Sequence, residues 1–351
     1  AIRRTTYLAT RNPLSLLSML PRLPWAAIRA EARALPKSEA RAFLREVMIS
    51  APAADRLARD CAARGIRHIH AHSCGRAALI AALAHHAHGL SYSLTLHGHL
   101  SDYGVGQRFK WRDAAFVSVI TRALIDLLPG QLGDALPARL PLQPMGVDTD
   151  AFRRDTPYVP SAPGEALRLF SCGRLNMVKG HQDLMQAVRL MLDQGQPVTL
   201  EIAGEDDAGG TGYRAELEAL IVKLGLQDHV TLLGAISAEA VRNHLTAAYA
   251  FVLASWAEPL GVAYMEAMSC EVPTIGTDAG GVPELITDGQ DGILVPPQDP
   301  QALAAALLRL AADPALAMRL SQAGRARVVA AFDSSRGADM LIREIWPEGA
   351  V

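Results

Sequence analysis

One pattern constrains this chain more than any other. Short apolar runs alternate with helical stretches over most of its length. In the second half, Leu167–Ser171, Val198–Ala203, Val230–Leu233, Ala250–Ala254, Thr274–Gly276 and Ile293–Val295 read as strands. Gly180–Leu192, Tyr213–Leu224, Ala238–Ala247, a segment starting near Leu260 and a turn at Pro283–Thr287 read as helical. Such alternation builds a parallel sheet with helical crossovers, so the fold class is α/β. In a doubly wound sheet, ligands bind outside the carboxyl ends of the strands. Arg174, Gly204, Gly234 and Glu258 stand just past four of those ends.

The first half repeats the pattern from Gly65. Ile66–Ala71, Tyr92–Leu96, Ala114–Ile120 and Arg139–Gln143 read as strands, and Arg76–His88 and Arg122–Leu128 as helices. Pro144–Asp148 breaks the rhythm, and three prolines follow within Asp155–Gly164. A boundary near residue 150 therefore separates domain 1–150 from domain 151–351, and 351 residues suit two domains. The helices Pro300–Ala312, Pro314–Ala331 and Ser334–Ile345 end the chain and are expected to pack back on the first domain.

Charge divides the same way. Residues 1–150 carry 19 Lys+Arg against 11 Asp+Glu, a balance of +8, and residues 151–351 carry 15 against 25, a balance of −10. Only the first half suits an anionic surface, and its arginines lack the interleaved aromatic residues that a nucleic-acid platform needs. The expected partner is an anionic membrane surface, not nucleic acid. Leu14–Trp25, flanked by arginines, fits either an interfacial anchor or part of a helix pair covering a sheet. Cys61, Cys74, Cys172 and Cys270 are far apart and form no CxxC pair, which suits a reducing, cytoplasmic setting.

The densest candidate site is Ala254–Cys270. Pro259 suits the first turn of a helix beginning near Leu260, and Gly261 and Val262 would then offer unpaired amides to an anion. Glu266 is the one charge in an otherwise apolar helix, four residues beyond Val262 and on the same face. A carboxylate beside phosphate-binding amides suits a ligand that carries both hydroxyls and phosphates. A structural cap by Glu266 is the alternative. Gly173, Arg174, Lys179 and Gly180 place two cations at a strand–helix junction, where together they suit a pyrophosphate. Glu205, Asp206 and Asp207 would repel phosphate and read as a mobile loop. His70-Ala-His72 and His97-Gly-His99 end two strands, so a metal site is conceivable, but no later ligands complete one. A polar role facing a crevice suits His97 better.

Taken together, residues 167–300 resemble the nucleotide-sugar half of the family 4 retaining glycosyltransferases. The matching pieces are Gly173-Arg174 with Lys179-Gly180, Val230-Thr-Leu-Leu-Gly234, Glu258-Pro259-Leu260-Gly261 followed by Glu266-Ala-Met, Gly280-Gly281-Val-Pro-Glu284, and Asp288-Gly-Gln-Asp-Gly292. The first half is more loosely similar to transferases of the colanic acid and amylovoran type. The resemblance implies the GT-B fold, with two Rossmann-like domains whose parallel sheets face across a cleft. It implies a nucleotide-diphosphate sugar as donor substrate, a sugar or lipid-linked glycan acceptor, retention of configuration, and no cofactor or metal. Glu266 would bind the ribose hydroxyls and Glu258 the transferred sugar. Arg174 and Lys179 would stabilise the leaving diphosphate, and His97 would lie at the reacting face of the sugar. Gly173, Gly234, Pro259, Leu260, Gly261 and Val262 would complete the donor site. The glycine-rich turn that opens the family's first domain is not found, so that domain is expected to be incomplete. A nucleotide-sugar epimerase of the same fold and a non-catalytic assembly subunit are the alternatives.

Overall fold

Pro24 and Pro36 each stand immediately before a helix, where a fixed φ and a missing N–H cost nothing. In the computed structural model these helices are α1, Trp25–Ala34, and α2, Lys37–Ala63. The structure describes residues 5–8, 16–17, 19–206 and 212–346. Leu14, Ser15 and Ser18 of the apolar stretch, and Asp207 of the acidic loop, lie outside the described residues. Two compact units result. One holds residues up to Gln143 together with those from Leu341 onward, and the other runs from Pro144 to Met340.

In the first unit, β1 (His68–Ala71), α3 (Arg76–His88), β2 (Ser91–Leu96), α4 (Gln107–Trp111), β3 (Val117–Val119) and α5 (Arg122–Leu132) follow in order. Among the described residues its sheet is parallel, in the order β1-β2-β3. Within the apolar stretch before α1, Leu20–Arg22 forms a 3-10 turn. Met19 and Leu23 are buried, and Trp25 Nε1 donates to the Leu20 carbonyl at 2.8 Å. On α2 the buried positions Phe43, Val47, Ala51, Ala54 and Ala58 recur at helical spacing, so one face meets the core. Phe43 packs edge-on against Phe109 and lies where a side chain on Gly106 would be, 2.3 Å from a Cβ placed there. The expected strand Arg139–Gln143 is not formed. Leu142 makes one bridge to Val119, and Pro141 has no N–H to extend the ladder. No helix among the described residues is long and apolar enough to cross a membrane.

The second unit contains β4 (Leu167–Cys172), α6 (His181–Asp193), β5 (Val198–Ala203), α7 (Tyr213–Lys223), β6 (Val230–Gly234), α8 (Ala238–Ala247) and β7 (Ala250–Val252). These are followed by α9 (Val262–Ser269), β8 (Thr274–Thr277), α10 (Val282–Leu285), β9 (Ile293–Val295), α11 (Pro300–Ala312), α12 (Pro314–Ala331) and α13 (Ser335–Ile345), whose last residues belong to the first unit. All strand pairs are parallel, in the order β6-β5-β4-β7-β8-β9. The order reverses between β4 and β7, which makes that pair the switch point where a doubly wound sheet opens a crevice. Central strands read as apolar runs because both faces are covered. Leu169, Phe170, Leu200, Ile202, Phe251, Val252 and Ile275 are all fully buried. The boundary falls at Gln143 and not at residue 150, because the intervening residues join the second unit. Val147 N donates to Phe332 O at 2.9 Å, and Thr149 Oγ1 donates to Asp333 at 2.6 Å.

Candidate functional site

The carboxyl ends of β4, β5 and β6 are tied into one ledge by backbone hydrogen bonds. Gly173 N donates to Ala203 O and Gly204 N to Gly234 O, each at 2.9 Å. Gly204 sits at φ 151, and a Cβ there would be 1.9 Å from the Gly173 carbonyl oxygen. Only glycine allows this approach. The ledge ends at β4, next to the switch point.

From β4 the chain turns through Cys172, Gly173 and an exposed Arg174 into a short 3-10 turn, Met177–Lys179. The Asn176 side chain accepts from Lys179 N at 3.2 Å and fixes this turn. Gly180 then enters α6 at φ +67, with the Ala254 carbonyl 1.8 Å from where a Cβ would sit. This contact seats the β4 turn directly on the β7 turn. Lys179 Nζ is consequently paired with Glu258, and Ser255 Oγ donates to the same carboxylate at 3.2 Å. Both partners are largely shielded from water, with side chains 17% and 10% exposed.

Several further contacts fix the Glu258 loop. Trp256 N donates to Val178 O at 2.8 Å, and its indole donates to Asp183 at 2.6 Å. Gly281 N donates to Glu258 O at 2.9 Å, and Thr277 Oγ1 to Ser255 O at 2.5 Å. The helix after the loop begins later than expected. Pro259 lies in a bend and Gly261, at φ +94, caps α9, because a Cβ at Gly261 would strike the Tyr264 ring at 2.4 Å. Leu260 is buried, so its side chain serves the core and only its backbone faces the turn. Val262 and Glu266 do share the open face of α9, Val262 exposed and Glu266 half-buried.

The Glu266 carboxylate has no ion-pair or hydrogen-bond partner among the described residues. Burial alone pushes its carboxyl from 4.5 to about 7. Between those values the folded chain binds more protons than the unfolded one, so stability declines as pH rises through that window. Glu266→Gln should remove the decline. Thermal melts from about pH 5 to about pH 8 should show the wild type losing stability relative to the variant. Parallel curves would refute this linkage.

Gly234 stands apart from the cation pair. A Cβ placed there would lie 3.5 Å from the Glu205 carboxylate and 3.8 Å from the Arg214 guanidinium. The acidic segment that reads as a mobile loop is anchored at its start. Glu205 pairs with Arg214 at 2.8 Å, and Asp206 accepts from the Gly212 and Arg214 amides at 3.1 Å. His181 was not foreseen in the sequence. It is fully buried beside Gly173 and Arg174, and burial, reinforced by Lys179, pushes it down to about 4. A histidine directly after Lys-Gly at a helix start was the available signal.

His97 belongs to the first unit, just beyond β2. His72 Nδ1 lies 2.5 Å from His97 Nε2. His70 is spent otherwise, with its two nitrogens bonded to Ser93 at 2.9 Å and Thr95 at 2.8 Å. No group of three metal-ligating side chains occurs among the described residues. The Asp148–Asp150 pair is used locally, with Asp148 accepting from the Asp150 and Ala151 amides at 3.1 and 2.9 Å.

The family model for group 1 glycosyl transferases matches residues 154–327. The amylovoran biosynthesis glycosyltransferase AmsK of Erwinia amylovora is 33% identical over 198 residues, covering 54% of this chain and 46% of that one. Sucrose-phosphate synthase from Thermosynechococcus elongatus superposes with a TM-score of 0.73 at 25% identity, covering 85% of this chain and 78% of its own. HepE of Anabaena, solved with UDP-glucose, gives a TM-score of 0.70 at 21% identity, covering 83% and 82%. Both match the two-unit α/β fold. The chain spans less than half the length of three curated relatives it matches, at 36%, 42% and 46%. The parallel sheets agree with the fold of these proteins: residues 154–327 are similar to the group 1 glycosyl transferases, and the chain has the GT-B fold.

Proposed function

We propose that the chain transfers a sugar from a nucleotide-diphosphate donor to a sugar or lipid-linked glycan acceptor, with retention of configuration. The observation that carries this reading is the Lys179–Glu258 pair at the switch point between β4 and β7. A cation for the diphosphate and an acceptor for sugar hydroxyls already meet there. Without a donor they neutralise each other. With one bound, Lys179 and Arg174 turn to the departing diphosphate and Glu258 accepts from the sugar. Leaving-group charge grows in the transition state, so the cations act mostly on turnover. The amides at Gly261 and Val262 add positive potential at the start of α9. Glu266 accepts from the ribose hydroxyls, which favours its ionised form, so donor affinity should rise with pH through about 7. HepE of Anabaena, solved with UDP-glucose, gives the donor class a precedent in this fold. AmsK, named for amylovoran biosynthesis, gives polysaccharide assembly as a setting.

The exposed arginines Arg29, Arg33, Arg41 and Arg45 on α1 and α2 supply a face for an anionic membrane, which would hold the chain near a lipid-linked acceptor.

Metal is not needed in this scheme, since Arg174, Lys179 and the helix amides supply the positive charge. Transfer should survive EDTA, and added magnesium should change the rate little. NMR of the first-formed product should show the anomer of the donor. Activity lost in EDTA and restored by magnesium or manganese would refute the first expectation, and the opposite anomer would refute retention.

A further inference from the structure

The first unit carries a polar column along one face of its sheet. Residues two apart on a strand share a face. His68 and His70 on β1 stand level with Ser91 and Ser93 on β2. His68 bridges Ser91 at 2.9 Å and Ser93 at 2.8 Å. His70 bridges Ser93 and Thr95, and Thr95 meets Ser118 of β3 at 2.7 Å. Both nitrogens of both rings are occupied, so these two histidines bind the strands together.

His72 continues this face just past β1, and His97 continues it just past β2. At that level the hydroxyl is replaced by a second imidazole. The two rings stack at 4.5 Å and 15°, with His72 Nδ1 2.5 Å from His97 Nε2. Two imidazole nitrogens this close hold one proton between them. One donates and the other accepts, so each ring fixes the tautomer of the other. The column below cannot do this, because its rings are saturated by hydroxyls.

We propose that His72 is a positioning residue for His97, holding its Nε2 so that the ring offers only Nδ1 to a ligand hydroxyl. This rests on the reading that His97 meets the transferred sugar. Two titratable groups flank the pair among the described residues: His70 on β1, edge-on to His72, and Tyr103 beside the His97 backbone. Burial, reinforced by His72, pushes His97 down to about 4, so the His97 ring is neutral at neutral pH.

The test is long-range 1H–15N NMR of the histidine-labelled chain at neutral pH, read beside steady-state kinetics. His97 should show one tautomer in the wild type and a mixture in His72→Ala. His72→Asn, which keeps a polar group at the δ position, should restore the single tautomer. Misplacing a group by about 1 Å can cost up to about 100-fold, so His72→Ala should lower kcat on the order of 10-fold, with partial rescue by Asn. His72→Ala should cost nothing further in a His97→Ala background. His72 is exposed, and unchanged melting temperatures should accompany these effects. The same tautomer mixture in wild type and His72→Ala would overturn the pairing. A His97→Ala enzyme with wild-type turnover would overturn the reading of His97 beneath it, even with the tautomer result intact.

Discussion

Lys179→Ala should reduce turnover by about 100- to 1,000-fold, the range seen when a preorganised group facing transition-state charge is removed. Lys179 is held for this task at both ends. Asn176 fixes its backbone turn, and Glu258 holds its ammonium at the mouth of the switch point. The same change should destabilise the ligand-free fold, because the Glu258 carboxylate loses its cation and keeps only the Ser255 hydroxyl. An unsatisfied buried polar group costs about 1–3 kcal/mol, more when charged. Lys179→Arg separates the two effects. It should retain most stability, since a cation still reaches Glu258, yet lose turnover, since a planar fork does not replace a compact ammonium. Melting curves and kcat for both variants decide this. A Lys179→Ala enzyme with normal kcat and a raised KM would mean that Lys179 binds ground state and transition state alike.

Gly180→Ala should cost more than about 3 kcal/mol, placing it among the severe single changes. Two terms add. A left-handed residue with a side chain costs roughly 1–2 kcal/mol. Beyond that, the new Cβ would lie 1.8 Å from the Ala254 carbonyl oxygen, and that atom is backbone and cannot rotate away. The turn bearing Lys179 and the turn bearing Glu258 must then separate, so the ion pair is lost with the packing. Gly225 supplies the control. Its φ is +65, nearly that of Gly180 at +67, and nothing lies within 4 Å of its Cβ position. Gly225→Ala should therefore show the conformational term alone, about 1–2 kcal/mol. Denaturant unfolding of both variants measures the difference. Equal losses would mean that the contact with Ala254 carries no energy.

Periodicity made most of the second unit legible. Val198–Ala203, Ala238–Ala247, Pro300–Ala312 and Pro314–Ala331 fall where apolar spacing and cap residues put them. Asp299 and Asp313 each precede a proline and accept from the third amide of their helix, at 2.8 and 2.9 Å, so the start signals are local. What local signals cannot carry is contact between distant segments. Gly261 and Pro259 are both turn residues in sequence, and only the Tyr264 ring decides which of them caps α9. Arg139–Gln143 has strand composition but a proline where the ladder needs a donor. Arg174, Lys179 and Glu258 could be named because they follow strand ends, and Glu266 because it is the one charge in its helix, but that Lys179 meets Glu258 depends on the β4–β7 adjacency. His72 could not be told from His70 in the sequence. The first is paired to an imidazole and the second to two hydroxyls, and sheet register alone separates them.

Calorimetric titration of UDP and GDP, and of their glucose and mannose conjugates, into the wild-type chain and the Glu266→Ala and Arg174→Ala variants asks whether the β4–β7 crevice holds a donor. At least one nucleotide should bind the wild type. Glu266→Ala should weaken it by on the order of 10- to 100-fold, since a hydrogen bond to a charged group contributes about 1.5–3 kcal/mol. Arg174→Ala should weaken the diphosphates but not the corresponding nucleosides. Binding that is absent throughout, or undiminished in both variants, would mean that the donor is not held by these residues.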